Sequence, residues 1–290
     1  MKRRSFVNQS VVGIALATGL ASWSPTGAAA PAPTPARKGR LRQSVCRWCF
    51  GSWPLERLCS VASELGLGSV ELLAPDEWAV ASKHGLTCAV ASPMASNPIH
   101  KGWNRAENHE AMLRELDERL ALCVSAGVPK QIVFSGNRSG LSDAEGLRVC
   151  AAGLREAVKL AEKHGSSLVM ELLNSKVDHG DYQCDRTAWG ADLVQAVGSD
   201  RFSLLYDIYH MQIMEGDVIR TIRTHHQAVG HYHTAGNPGR NEIDDTQELN
   251  YKAICEAIVE TGFKGFLGQE FIPRRDPLQS LTEAVAICDV

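Results

Sequence analysis

Four residues whose side chains bind metal ions recur along the sequence, each at the end of a short apolar run. They are Glu171, Asp207, His233 and Glu270, separated by 36, 26 and 37 residues. A carboxylate in such a position is costly to bury unless another charge or a metal ion compensates it. For a single carboxylate, a buried salt bridge is an equal alternative. Three carboxylates and an imidazole together favour one shared divalent cation with an open coordination position.

The elements that must position these residues alternate between short apolar strands and longer amphipathic helices. Eight strands are predicted, at 43–48, 69–73, 86–91, 131–135, 167–172, 202–207, 229–234 and 265–271. Eight helices are predicted, at 55–65, 76–84, 105–126, 142–164, 187–197, 216–226, 251–261 and 277–288. This alternation in one chain predicts the α/β class and a single (β/α)8 TIM barrel, in which the strand ends that carry the candidate ligands meet at one mouth.

Length and charge limit the classes of function. The chain has 290 residues, which exceeds the roughly 250 residues of a typical barrel. Its formal net charge is −3, without the basic surplus that is typical of nucleic-acid-binding proteins. We therefore expect a small-molecule substrate and no nucleic-acid partner. The sequence leaves open whether the barrel forms a homo-oligomer.

The first 30 residues have the order of a targeting segment. Lys2, Arg3 and Arg4 form a basic start, and residues 3–7 (RRSFV) resemble the twin-arginine export signal. The stretch at 11–23 is apolar but too short to span a bilayer stably. Residues 31–41 are typical of a Pro-rich linker, so the barrel is expected at 42–290. We predict export, to the periplasm, with no stable membrane span in the mature chain. A disordered N-terminus without a targeting role is the alternative.

Further histidines lie close to the candidate ligands in the sequence. Side chains alternate along a strand, so His231 and His233 face the same side. One is a candidate ligand, and the other is a candidate substrate contact or a hydrogen-bond partner of that ligand. His210, three residues after Asp207, is also predicted to reach the mouth and bind substrate.

A polar loop follows the third predicted strand, at 96–104. One interpretation is a substrate lid, with His100 or Lys101 near an anionic group of the substrate and Trp103 closing over it. An ordinary barrel loop is the other interpretation, and the sequence slightly favours it.

Several segments resemble the hydroxypyruvate isomerase family. YDIYHMQ at 206–212 is similar to the YDxYHMQ segment of that family, and NPGRNE at 237–242 is similar to its PGRxE segment. MELLN at 170–174 and GQEF at 268–271 match its two glutamate strands. The resemblance covers nearly the whole chain from about residue 42. This family belongs to the xylose-isomerase-like barrels, which include ketose 3-epimerases and endonuclease IV.

The resemblance implies a ligand set, a cofactor and substrate contacts. It implies one divalent ion, usually Mn²⁺ or Mg²⁺, held at the positions of Glu171, Asp207, His233 and Glu270. Hydroxypyruvate isomerases often have glutamine at the position of His233, where the epimerases have histidine, so the substrate stays open. The resemblance also matches Arg240 and His210 with residues that contact the substrate.

The expected reaction moves a carbonyl group between adjacent carbon atoms. Such a reaction needs a base to take the α-proton, a cation to stabilise the enediolate, and an acid to return the proton. We expect Glu171 and Glu270 to be the acid/base pair that also binds the metal, with Asp207 and His233 as ligands only. Arg240 is expected to hold a carboxylate or hydroxyl of the substrate.

The leading hypothesis is therefore a metal-dependent isomerase of a small α-hydroxy-carbonyl compound, such as hydroxypyruvate or a small sugar. A ketose 3-epimerase with the same site is a close alternative. An endonuclease-IV-like hydrolase would need more metal ligands and a basic surface, against which the net charge argues. A non-catalytic exported barrel that binds metal or sugar would not require two glutamates.

Overall fold

Seven parallel strands form one curled sheet, and helices pack around it. The computed structural model describes residues 37–290, in which the strands are β1 (Arg42–Cys46), β2 (Ser69–Glu71), β3 (Lys130–Val133), β4 (Ser167–Glu171), β5 (Phe202–Asp207), β6 (Val229–Thr234) and β7 (Phe266–Gln269). Their order in the sheet is β2-β1-β7-β6-β5-β4-β3. This is the sequential order of a β/α barrel, interrupted only between β2 and β3.

A less regular segment fills the interval between β2 and β3. The sequence predicted a strand at 86–91, but the structure has only isolated parallel bridges there, from Thr87 to Ser69 and from Ala91 to both Leu73 and Gln131. The ladder is broken because the hydroxyl of Ser69 accepts the hydrogen bond from the backbone N–H of Ala89, at 2.9 Å. Ala91 contacts both sides, so the ring still closes and the predicted barrel fold is confirmed.

The helices are α1 (Leu55–Glu64), α2 (Trp78–Lys83), α3 (Ala106–Ser125), α4 (Asp143–His164), α5 (Thr187–Val197), α6 (Ile208–Met214), α7 (Val218–His225), α8 (Tyr251–Glu260) and α9 (Pro277–Ile287). Each predicted helix has a counterpart, and α6 is an addition. It begins directly after β5 because the carboxylate of Asp207 caps it, accepting a hydrogen bond from the N–H of His210 at 3.1 Å. This turn brings His210 back toward the mouth.

The N-terminal boundary of the described chain packs on the barrel. Leu41 is buried, and the guanidinium of Arg37 donates hydrogen bonds to the carbonyls of Leu65 and Gly66. The predicted signal segment 1–30 and residues 31–36 of the predicted linker lie outside the described residues. From residue 37 onward, no helix is both long enough and apolar enough to cross a membrane. All nine cysteines lie in this part of the chain, and all are free thiols.

The loop before α3 packs tightly against the end of β3 through Gly102. The backbone N–H groups of Trp103 and Asn104 donate to the carbonyls of Phe134 and Ser135. A Cβ atom added to Gly102 would overlap the backbone of Ser135 and its neighbours. This pairing therefore requires glycine at position 102.

We predict that Gly102→Ala lowers the free energy of unfolding by about 2–3 kcal/mol, because backbone atoms cannot move aside as a flexible side chain can. The midpoint of urea unfolding, followed by circular dichroism, measures the change. Gly180→Ala is the control, since a Cβ atom there meets nothing within 4 Å. Equal midpoints for the two variants would contradict the prediction.

Candidate active site

The four predicted ligands converge at the mouth of the barrel. Glu171 and Asp207 end β4 and β5, His233 is the penultimate residue of β6, and Glu270 directly follows β7. One ligand atom from each residue lies within 4.8 Å of the corresponding atoms of the others. None of the four is more than 5% exposed. The strand ends of four neighbouring elements thus deliver one buried cluster, as the spacing in the sequence predicted.

One cation of the protein lies against this cluster. The Nη2 atom of Arg240 is 2.7 Å from Oε2 of Glu270 and 3.4 Å from Oδ2 of Asp207. Arg240 has a positive φ of 58° and lies within a tight turn that the pairing of Gly236 with Asn241 closes. Arg240, the predicted substrate-binding arginine, therefore reaches the mouth, where it lies against two of the carboxylates and partly neutralises their charge.

Burial and the neighbouring charges shift the pKa values of the three carboxyl groups in the cluster. Burial is the main reason that the pKa of Asp207 lies well above its ordinary value; Arg240 lowers it, whereas Glu270 and Glu171 raise it. Burial also raises the pKa of Glu171. For Glu270 the effect of burial is outweighed by His233 and Arg240, which hold its pKa well below the usual range. Three buried carboxylates, with Arg240 and the imidazole of His233 as the basic groups beside them, form an acidic cluster that suits a divalent cation.

The ring of His210 presents a free donor to the same space. Its Nδ1 atom accepts the hydrogen bond from the backbone N–H of Asn174 at 3.2 Å, so the ring proton is on Nε2. Burial lowers the pKa of His210 well below its ordinary value, which keeps the ring neutral. Within residues 37–290, Nε2 has no hydrogen-bond partner, and it lies 3.6 Å from Oδ2 of Asp207. An unpartnered buried N–H at the mouth can donate to a substrate oxygen.

Trp48 also contacts the site, although the sequence alone does not distinguish such a contact from ordinary packing. Its indole Nε1 donates a hydrogen bond to Oε1 of Glu270 at 2.8 Å. The Cζ atom of Arg240 lies 5.0 Å from the centre of its ring. The side chain is still 44% exposed, so Trp48 forms part of the rim of the mouth.

His231 lies below the cluster rather than in it. Its Nε2 atom is 3.0 Å from Oε2 of Glu71 on β2, and both side chains are buried. This position does not support the predicted contact of His231 with substrate. It fits better with the other interpretation, in which His231 is a hydrogen-bonding partner below the candidate ligands. Glu71 was missed, although a carboxylate inside the apolar run 69–73 was the same signal that revealed Glu171.

The loop at 96–104 fits the interpretation as an ordinary barrel loop, which the sequence slightly favours, better than the interpretation as a lid. Trp103 is fully buried, and its carbonyl lies 2.8 Å from Nε2 of His109, so it packs under the loop instead of closing over substrate. The side chains of His100 and Lys101 are exposed. In the described part of the chain, no hydrogen bond or ion pair joins either of them to the cluster, and their contact with substrate stays a prediction.

The sequence model of the xylose isomerase-like TIM barrel family matches residues 59–288. The chain belongs to this family. Among curated members with related sequences, the 2-oxo-tetronate isomerase of Cupriavidus necator is 30% identical over 237 residues, which cover 76% of this chain and 87% of that protein. The hydroxypyruvate isomerase of Escherichia coli (strain K12) is 25% identical over 245 residues, which cover 81% of this chain and 92% of that protein.

A solved structure gives the same fold. The D-psicose 3-epimerase of Clostridium cellulolyticum H10, solved with D-tagatose, superimposes on this chain with a TM-score of 0.71. The two are 17% identical, and the superposition covers 86% of this chain and 97% of the epimerase chain. At this identity the likeness shows the fold alone. The curated relatives are isomerases, and the prediction that this xylose isomerase-like barrel is an isomerase is confirmed.

We predict that Asp207→Asn weakens Mn²⁺ binding by about 100-fold or more, because even the loss of a group that only supports a ligand costs about 10- to 100-fold. Isothermal titration calorimetry measures the affinity. Asp185→Asn is the matched control: Asp185 is also a buried aspartate, paired with Arg138 at 2.8 Å, but it lies outside the cluster. If both variants bound Mn²⁺ as the parent does, Asp207 would not be a ligand.

Proposed function

We propose that the protein is a divalent-metal-dependent isomerase that moves a carbonyl group between adjacent carbons of a small α-hydroxy-carbonyl compound. The observation that supports this most is the approach of two glutamates to one cluster from different sides. Glu171 ends β4 and Glu270 directly follows β7, and these strands stand three positions apart in the sheet. His233 lies between them, with Nδ1 3.7 Å from Oε1 of Glu171 and 3.0 Å from Oε2 of Glu270.

The donor set fits a hard or borderline cation. Three carboxylates and one imidazole nitrogen within 4.8 Å of one another offer mixed oxygen and nitrogen ligands without a thiolate, a set that suits Mn²⁺ or Mg²⁺. When bound, such a cation would polarise the carbonyl of the substrate and make its α-proton more acidic. Glu171, Asp207, His233 and Glu270 are the residues that would hold it.

The two glutamates would carry the proton. In an isomerisation through an enediolate, one carboxylate removes a proton from carbon and a carboxylic acid returns a proton to the neighbouring position. Both oxygens of Glu270 are held, by Trp48 on one side and by Arg240 and His233 on the other. Glu171 makes a single contact in the cluster, to His233. Glu270 is thus fixed in place, while Glu171 has more freedom to turn toward a substrate atom.

His210 and Arg240 would orient the substrate. The free Nε2–H of His210 can donate to a hydroxyl or carbonyl oxygen that enters the mouth. Arg240 can also donate to a substrate oxygen, since its side chain is 15% exposed and its contact with Asp207 is long, at 3.4 Å. Both would hold the reacting carbons near the glutamates at little cost in entropy at the moment of reaction.

The substrate class follows from the relatives. The relatives are named for hydroxypyruvate and for 2-oxo-tetronate, and we propose a substrate of the same kind or a small ketose. A ketose 3-epimerase is the second candidate, because the chain has histidine at position 233, as the epimerases do, where hydroxypyruvate isomerases often have glutamine. We also propose export of the chain, because the basic residues Lys2, Arg3 and Arg4 are followed by the apolar stretch at 11–23 and by small residues at 26–30.

Deuterium exchange tests the proposal. The Mn²⁺-loaded protein is incubated in D₂O with hydroxypyruvate, and in parallel with D-fructose and D-tagatose, and proton NMR follows the signal at the α-carbon. We expect loss of that signal with at least one substrate. Formation of an aldehyde product supports the isomerase, and a product that is the 3-epimer of the ketose supports the epimerase. Absence of exchange with all of them, in a protein shown to hold Mn²⁺, would refute both.

We predict that Glu171→Gln and Glu270→Gln each slow this exchange by about 10²- to 10⁴-fold, because an amide cannot take up the proton. Glu115→Gln is the control, since the carboxylate of Glu115 accepts hydrogen bonds from the N–H groups of Ala95 and Ser96 and lies outside the cluster. Exchange at the parent rate in either variant of the cluster would remove that glutamate from the proton path.

A further inference from the structure

A second buried carboxylate, that of Glu71, lies directly beneath the four ligands. It is fully buried and accepts a hydrogen bond from the hydroxyl of Ser44 at 2.9 Å. The Nε2 atoms of two histidines also face it, His231 at 3.0 Å from Oε2 and His233 at 3.3 Å from Oε1. The carboxylate of Glu71 therefore lies between two imidazole rings and accepts from the hydroxyl of Ser44.

The fold makes specific room for this carboxylate. Gly268 lies in β7, opposite His233 in the ladder between β6 and β7. A Cβ atom at Gly268 would overlap Oε1 of Glu71 and would lie 2.8 Å from Cδ2 of His233. Glycine at this position thus allows Glu71 to reach across the barrel from β2 to the ring of His233.

The two nitrogens of His233 point to different groups. Nδ1 faces Glu270 and Glu171 in the cluster, and Nε2 faces Glu71 below it. A neutral imidazole has one proton, and only the nitrogen without it has a lone pair for a metal ion. When Nδ1 gives its lone pair to a cation among the cluster carboxylates, the ring proton has to be on Nε2, where Oε1 of Glu71 lies 3.3 Å away as an acceptor and Sγ of Cys46 lies 3.7 Å away.

We propose that Glu71 is a positioning residue of the metal site: it holds the proton of His233 on Nε2 and so presents Nδ1 to the cation. This inference rests on the proposed metal-dependent function, although it concerns binding and not the reaction. A metal-bound histidine that donates its second N–H to a carboxylate binds in a fixed orientation and is more basic. Ser44 and His231, which both hydrogen-bond to Oε1, keep the carboxylate of Glu71 in place.

A second metal ion at this carboxylate is the competing arrangement. Cys46 and Glu71 could join His233 in a further group of ligand atoms within 4.8 Å. His233 would then have to lose both ring protons and bridge two ions. The carboxylate of Glu71 would also have to give up its hydrogen bonds with Ser44 and His231 and its contact with His233. Positioning requires none of these changes.

The test compares Mn²⁺ affinity in the parent and in Glu71→Gln by isothermal titration calorimetry. We expect one ion per chain in both proteins and an affinity about 10- to 100-fold weaker in the variant. Glu242→Gln is the matched control: its carboxylate is buried and accepts from the N–H groups of Arg274 and Arg275 and from Ser280, but it does not touch His233. We expect its affinity to stay within about threefold of the parent, since it only supports the fold.

The tautomer of His233 gives a readout that a purely structural role would not change. In protein labelled with ¹⁵N-histidine and loaded with Mg²⁺, we expect NMR to show the proton of His233 on Nε2 in the parent, and a loss of this preference in Glu71→Gln. The measurement on the parent suffices if the variant does not fold.

Three results would overturn the inference: a proton of His233 on Nδ1, an unchanged affinity in Glu71→Gln, or two Mn²⁺ ions per chain that fall to one in that variant. Failure of the proposed function looks different. A protein that binds Mn²⁺ with the expected dependence on Glu71, but exchanges no substrate proton, would retain the inference and refute the isomerase.

Discussion

The mutual repulsion of three buried carboxylates is the constraint on which the rest of the site depends. Glu171, Asp207 and Glu270 are nearly inaccessible to solvent and lie within reach of one ion. Arg240 neutralises part of their charge but cannot contact all three closely. A cation shared by all three carboxylates would compensate their remaining negative charge. The same cation would be in the right place to act on a carbonyl group.

Below the mouth, the barrel is polar on one side, which is unusual for a fold whose interior is mostly branched apolar side chains. Gln269 donates to Gln43 at 3.0 Å and accepts from Thr234 at 2.7 Å, so β1, β6 and β7 are joined by side chains as well as by their ladders. Glu71 and its two histidines continue this network toward the ligands. This buried network restricts the motion of its side chains and supports the layer in which chemistry would occur.

The sequence was sufficient for the class of fold and for the convergence of the four candidate ligands, because both depend on local patterns. An acidic residue at the end of an apolar run places a carboxylate at the barrel mouth whatever lies around it. Contacts across the barrel were not predictable in this way. Periodicity shows which face Glu71 or His231 occupies, but not that the two meet from β2 and β6. The break at 86–91 was also hidden, since it depends on the hydroxyl of Ser69 taking one backbone N–H.

The central claim is that one divalent ion binds where the four strand ends meet. A crystal structure of the Mn²⁺-loaded protein, with anomalous scattering to locate the metal, tests this most directly. The account predicts one Mn²⁺ per chain, at about 2.0–2.3 Å from an oxygen of Glu171, Asp207 and Glu270 and from Nδ1 of His233. An ion bound through Nε2 of His233, or a mouth in which Arg240 alone compensates the carboxylates while Mn²⁺ binds elsewhere, would contradict it.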